Sequence, residues 1–363
     1  MLVEKAKNMD VSAKITGIKY SPFSCRKLNV HNIFCLDSAL AADGTFILQF
    51  DEKTQIALSW WVSAKRTRTY PYARVYDSLS FQGKKVTIIP FVKDEGKDGD
   101  RDFLQWDTIS LMSLLGVYTI ISYYIDADQS LRYKNKVTNQ RFDVEHIKAE
   151  LHNLLSYQSD ALHWNLSQME KIGGIAQKAL NSYMKISKNL GVAMHSKKTA
   201  EQRIEKILKG KENFMSISRG LARDAQSRES VTFQPKEKLS GIKGTLTIKN
   251  YLGGYYFLTA DEIEIKGNKI FLIESKHSKK SVLPSSVDIK DGIVKMILFS
   301  NLKNVKVDGK EYSPYAVLKL TTDKIFSIDK LSPIHLITLQ LLKKEAGENN
   351  FNVFVNDINL KDI

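Results

Sequence analysis

The sequence predicts an α/β (α+β) protein: a mixed β-sheet core flanked by helices, with a β-containing N-terminal region and a central helical region added. Three observations carry that prediction. Apolar residues make up 43% of the 363 residues and charged residues 26%, the balance of a soluble globular chain with ample core-forming material. Short β-rich runs bounded by turn residues occur towards both ends, and helical periodicity fills the middle. Late in the chain a tight hairpin leads to a capped helix and then to further strands, an order that fits a sheet covered by helices.

In chain order, FILQF (46–50) and IALSWWV (56–62) read as strands. KRTRTYPYAR (65–74) reads as a loop in which four basic residues interleave with Tyr70 and Tyr72. Basic groups neutralise phosphates and aromatic rings stack on bases, so Lys65, Arg66, Arg68 and Arg74 are candidate DNA contacts. KKVTIIPFV (84–92) is a buried strand. It enters KDEGKDGDRD (93–102), a charged loop with five acids in ten residues. Asp107 is a candidate cap for a helix reaching Leu115, ended by Gly116, and VYTIISYYI (117–125) comes next as a buried strand. The uncharged window Ile109–Ile125 is broken by Gly116 and rich in Ser, Thr and Tyr, so it reads as core rather than a membrane span.

Residues 143–228 are helical by pattern. Val144–Leu166 carries Ile147, Leu151, Leu154, Leu155, Leu162 and Leu166 near helical spacing, and Gly173-Gly174 and Gly191 punctuate the next stretch. IKGTLTIKN (242–250), GYYFLT (254–259), Asp261–Lys266 and Lys269–Lys276 read as strands. Ser285 or Ser286 caps a helix to about Ser300 with Ile289, Ile293, Met296 and Ile297 on one face. Asp308-Gly309 signals a second hairpin, YAVLKL (315–320) a strand, and Ile334–Lys344 an amphipathic helix. Composition divides the chain into an N-terminal region (1–140), a basic helical region (141–230) and a C-terminal core (231–363).

The net charge of +14 points to a polyanionic partner, most often nucleic acid. Much of the excess lies between Lys185 and Lys249, where fifteen Lys and Arg face six Asp and Glu. Arg219, Arg223 and Arg228 in this stretch are further candidate DNA contacts. Two isolated cysteines form neither a disulfide framework nor a zinc site, which suits a reducing cytoplasm. The N-terminal residues contain no secretory apolar run.

The chemistry concentrates in TADEIEIKGNKIFLIESKH (259–277). Gly267-Asn268 is a two-residue hairpin turn. Its register sets Asp261 opposite Glu274, and side-chain alternation puts Asp261, Ile263, Ile265, Ile270, Leu272, Glu274 and Lys276 on one face. Two opposed carboxylates are destabilising unless a cation lies between them. Glu262 and Glu264 fall on the other face and are expected in solvent.

This D-x12-E-S-K pattern, with its continuation ESKHSKKSVLPSSVDIKDGIVKMILFSNL, resembles the active-site hairpin of the PD-(D/E)XK nuclease superfamily, and type II restriction endonucleases in particular. The resemblance covers Gly253 to Leu302. Ala260 stands where the family usually has Pro, so either Asp261 or Glu262 is the acid. The resemblance implies a Mg²⁺-dependent, sequence-specific endonuclease that hydrolyses double-stranded DNA to 5′-phosphate ends. It also implies a homodimer as the usual arrangement, a cognate DNA methyltransferase as functional companion, and a third acid, for which Glu229 is a candidate.

Asp261 and Glu274, with the Ser275 carbonyl, would supply hard oxygen ligands to Mg²⁺. Lys276, two residues after Glu274, would hold the attacking water, and burial together with the metal charge would lower its pKa. The catalytic set is thus Asp261, Glu274 and Lys276. Alternatives are a DNA repair or junction nuclease, and a non-catalytic DNA-binding protein with a remnant nuclease fold. A rival acid-x-Lys site is Glu95-Gly96-Lys97 with Asp77 upstream, disfavoured because its loop lacks a hairpin register.

Overall fold

The computed structural model describes residues 8–64, 69–208, 242–251 and 254–362. The architecture is α+β, and the chain divides into two compact units: Met1–Arg26 with Arg219–Ile363, and Lys27–Ser218. No helix among the described residues is long and apolar enough to cross a membrane.

The first unit is one sheet with helices. Its strands are β1 (Met9–Ile15), β2 (Ile242–Asn250), β3 (Tyr255–Lys266), β4 (Lys269–Ser278), β5 (Lys303–Val307), β6 (Lys310–Thr322), β7 (Phe351–Val355) and β8 (Ile358–Asn359). Helix α1 (Ser286–Phe299) joins β4 to β5, and α2 (Pro333–Glu348) joins β6 to β7. β2, β3 and β4 form an antiparallel meander. β4 then runs parallel to β6 over ten residues, from Lys269 opposite Ser313 to Ser278 opposite Thr322.

β1 lies parallel to β2 on one side and antiparallel to β5 on the other, and β5 pairs with the start of β6. The path β4-β3-β2-β1-β5-β6 therefore returns to β4 as a closed ring, with β7 and β8 extending from the second half of β6. Sequence reading passes over β1 because its apolar residues are few. Val11, Ala13 and Ile15 alternate with polar residues and are buried, the signature of a strand with one covered face.

Both hairpins form where turn chemistry places them. Gly267 takes φ +60°, and Asp308-Gly309 takes φ 49° and 80°, left-handed values that glycine adopts without a Cβ clash. Ser285 caps α1, its side chain accepting from the Asp288 amide. The stretches read separately as 254–259 and 261–266 are one continuous strand, β3.

The second unit holds a five-stranded sheet in the order Val30–Asn32, Thr45–Gln49, Gln55–Trp60, Lys85–Pro90, Val117–Ser122. All its pairings are parallel except the Thr45–Gln49/Gln55–Trp60 hairpin. Several expectations are corrected in this unit. The boundary near 140 falls inside it. The Asn165 side chain accepts from the Thr119 amide at 2.6 Å, and the Trp164 indole donates to the Thr119 carbonyl at 2.8 Å, stitching a downstream helix to an upstream strand.

The helix expected over Val144–Leu166 is two, Val144–Ser156 and Ala161–Glu170, because Asp160 caps the second by accepting from the His163 amide. Gly173-Gly174 lies inside a helix, Ile172–Leu190, which Gly191 ends at φ +64°. Asp107 is in the first turn of Trp106–Leu114 rather than its cap, which is Gln105. The 65–74 stretch is partly helical, from Thr69 to Ser78.

Candidate active site

The β3–β4 ladder runs from Lys266 opposite Lys269 to Glu262 opposite Ile273. One step further, the same register sets Asp261 opposite Glu274. There the ladder gives way to a side-chain contact: an Asp261 carboxylate oxygen accepts from the Ser275 amide at 2.8 Å. The Asp261 side chain is thus tied to the central residue of the ExK triplet. Glu262 pairs with Ile273 and points to the opposite face. It is buried at 7% exposure, which corrects the expectation that it faces solvent; Glu264 is exposed and pairs with Lys266 at 2.8 Å.

Glu274 is 2% exposed. Its Oε1 accepts from Lys276 Nζ at 2.8 Å and its Oε2 from Lys295 Nζ at 2.7 Å. The Lys276 contact follows from period-2 alternation, since residues 274 and 276 share a face of one strand. Lys276 Nζ also donates to Asp291 Oδ2 at 2.6 Å, and Lys295 Nζ to the Thr259 carbonyl at 3.2 Å. Asp291 and Lys295 come from α1, four residues apart and so on one helical face.

Gly292 allows α1 to lie close to the sheet here. A Cβ at that position would meet Leu318 Cδ1 at 2.7 Å and Lys276 Cε at 3.4 Å, and Leu318 is fully buried.

The electrostatics follow from burial and pairing. Burial alone would raise the Glu274 carboxyl, but the Lys276 and Lys295 ammonium groups outweigh it and hold the group at about 2. For Lys276, burial lowers the pKa as the sequence suggests. The Glu274 and Asp291 carboxylates overcome that and hold it above its ordinary value, so in the absence of a cation Lys276 is a firm ammonium. Asp291 is raised, first by burial and then by Glu274, with Lys276 opposing.

Sequence reasoning missed Asp291 and Lys295. Their signal is present: in the helical run Ile289–Phe299 the only charged residues are Lys290, Asp291 and Lys295, and charges in such an apolar stretch need buried partners. Ser275 serves as the amide that anchors Asp261, and its hydroxyl reaches the Lys319 carbonyl at 3.4 Å.

The rival triplet has a different setting. Val92–Asp94 and Arg101–Phe103 form a short antiparallel ladder, so the 93–102 segment does carry a register. Gly96 turns the chain at φ +89°. Glu95 is held by Lys93 at 2.5 Å and Lys136 at 2.9 Å, both outside the triplet. Burial works to raise its carboxyl, and these two lysines bring it down to about 2.

Of the candidate DNA contacts, Arg74 is half-buried; its guanidinium donates to the Trp60 carbonyl at 2.7 Å and stacks 4.3 Å from the Trp60 ring centroid. Lys65, Arg66, Arg68, Arg219, Arg223 and Arg228 lie outside the described residues, as does Glu229. Among the described residues, no three His, Cys, Asp or Glu side chains converge as a metal-binding group. Comparisons with protein-family models, with curated proteins and with solved structures find no match.

Proposed function

We propose that this protein is a Mg²⁺-dependent endonuclease of the PD-(D/E)XK kind acting on double-stranded DNA, with Asp261, Glu274 and Lys276 as its catalytic set. The observation that carries the reading is the meeting of Asp261 with the Glu274-Ser275-Lys276 strand across one hairpin, backed by helix α1, which packs over β4 and the parallel β6.

The donor set suits a hard cation. Asp261 and Glu274 offer carboxylate oxygens, and Mg²⁺ is commonly held by one or two carboxylates while keeping waters and substrate phosphate as its other ligands. Glu274 draws the ammonium group of Lys295 to its Oε2, so cationic charge is favoured at that position. When bound there, Mg²⁺ would neutralise phosphate charge and acidify a water.

The chain's own residues supply the rest. Lys276, pinned by Glu274 and Asp291, presents an ammonium at a fixed point beside the acids, where it orients a water or a phosphate oxygen. The Ser275 amide holds the Asp261 carboxylate in place. The basic excess over Lys185–Lys249 serves phosphate binding in a salt-dependent way. Sequence-specific cutting like that of type II restriction enzymes, a homodimer, a companion methyltransferase and a cytoplasmic location belong to the same reading. A second reading, a non-catalytic DNA-binding protein, draws on the fact that both oxygens of Glu274 already carry lysine partners.

Plasmid DNA separates these readings. Purified protein is expected to give discrete fragments with Mg²⁺ and intact plasmid with EDTA. Random nicking points to a repair nuclease, and a gel shift without cutting to the binding protein.

A further inference from the structure

A further charged group, Lys295, lies against Glu274 and stands outside the catalytic set. Lys295 Nζ bridges Glu274 Oε2 on β4 and the Thr259 carbonyl on β3, two residues before Asp261. It therefore spans the same two strands that carry the acid pair. Glu274 is 2% exposed, so its charge is poorly screened by solvent.

We infer that Lys295 is a built-in counter-ion occupying the cation seat, and that a divalent cation binds by displacing it. The inference rests on the cation-dependent reading of Asp261 and Glu274. Two ammonium groups already meet one buried carboxylate. Adding a dication without removing either would leave positive charge in excess at short range in a poorly screened place.

Of the two lysines, Lys276 is pinned between the Glu274 and Asp291 carboxylates, while Lys295 bridges Glu274 and the Thr259 carbonyl. Lys295 is the group more easily released. Its side chain is 20% exposed, and a four-carbon flexible stem lets its ammonium move to water. The counter-ion keeps Glu274 paired before a cation arrives. The cost is a weaker apparent cation affinity, since the cation must first expel the ammonium.

The test uses the full chain and Ca²⁺ alone, without DNA, in a calorimetric titration. Lys295→Gln is expected to bind Ca²⁺ at least about tenfold more tightly than the unaltered protein, and to melt at lower temperature in EDTA with recovery on adding Ca²⁺. Lys295→Arg, whose planar guanidinium holds a carboxylate more firmly, is expected to bind Ca²⁺ more weakly.

A measurement on the unaltered chain guards against misfolded variants: reductive methylation of Lys295, read by mass spectrometry, is expected to be slow in EDTA and faster with Ca²⁺. Unchanged or weaker binding by Lys295→Gln, or Ca²⁺-independent methylation, overturns the inference while leaving the cation site intact. Binding unaffected by Glu274→Gln, or no binding at all, overturns the cation site and this inference together.

Discussion

Glu274-Ser275-Lys276 and Glu95-Gly96-Lys97 are nearly the same three letters in two settings, and their chemistry diverges because of the backbone between them. On β4 the chain is extended, residues two apart share a face, and Lys276 closes on Glu274 at 2.8 Å. In the second unit Gly96 takes φ +89°, the alternation is broken, and Glu95 takes its cations from Lys93 and Lys136 instead. The first triplet also meets an opposing acid and a helix bearing Asp291 and Lys295. A short pattern becomes a site only when a regular strand carries it into a partner.

The largest effect that would break this comparison is on cleavage. Glu274→Ala or Lys276→Ala is expected to lower Mg²⁺-dependent plasmid cutting by at least about 10²-fold, with DNA affinity by fluorescence anisotropy largely unchanged. Glu95→Ala and Lys97→Ala are expected to stay within about twofold. Loss of cutting from the second pair alone would move the chemistry to the 93–102 segment.

Stability should differ in the same direction. Glu274→Ala removes the buried carboxylate that Lys276 and Lys295 share and is expected to cost about 3–5 kcal/mol in denaturant unfolding. Glu95 is 16% exposed at its side chain, so Glu95→Ala should cost about 1–2 kcal/mol. Both carboxyls sit at about 2, below an ordinary value of 4.5. Each therefore stabilises the fold fully above about pH 4.5, and that contribution is lost as pH falls towards 2. Glu274→Gln should remove more of this acid-limb dependence than Glu95→Gln.

Two substitutions probe the central residue of each triplet. Gly96→Ala forces a left-handed residue and sets a Cβ 2.3 Å from the Asn135 carbonyl, an expected cost of about 1–3 kcal/mol by thermal melting. Ser275→Gly writes Glu-Gly-Lys into β4. It is expected to cost only about 0.5–1 kcal/mol and to leave cutting within several-fold, because strand pairing rather than residue 275 aims the flanking side chains.

Whatever local chemistry decides is legible in the sequence. Gly267-Asn268 and Asp308-Gly309 name their turns, Ser285 names its helix start, and the turn brings Asp261 to the Glu274-Ser275-Lys276 strand, where its carboxylate meets the Ser275 amide. The hidden features depend on pairing distant in sequence. β1 joins the sheet between β2 and β5 through three alternating apolar residues, too faint a pattern to read alone. Asp291 and Lys295 enter the site only because α1 packs back over β4 and β6, which Gly292 permits. Asp160 splits a helix that apolar spacing alone would run through. Composition draws a boundary near 140, yet Asn165 and Trp164 bind Thr119 across it.

The central claim is that Asp261 and Glu274 form one cation seat. Its most direct test is a crystal of the protein soaked in Mn²⁺ and measured for anomalous scattering. The expected result is a peak within about 2.2 Å of an oxygen from each of the two carboxylates. A peak confined to Glu95, or no peak beside Glu274 at saturating Mn²⁺, would contradict it.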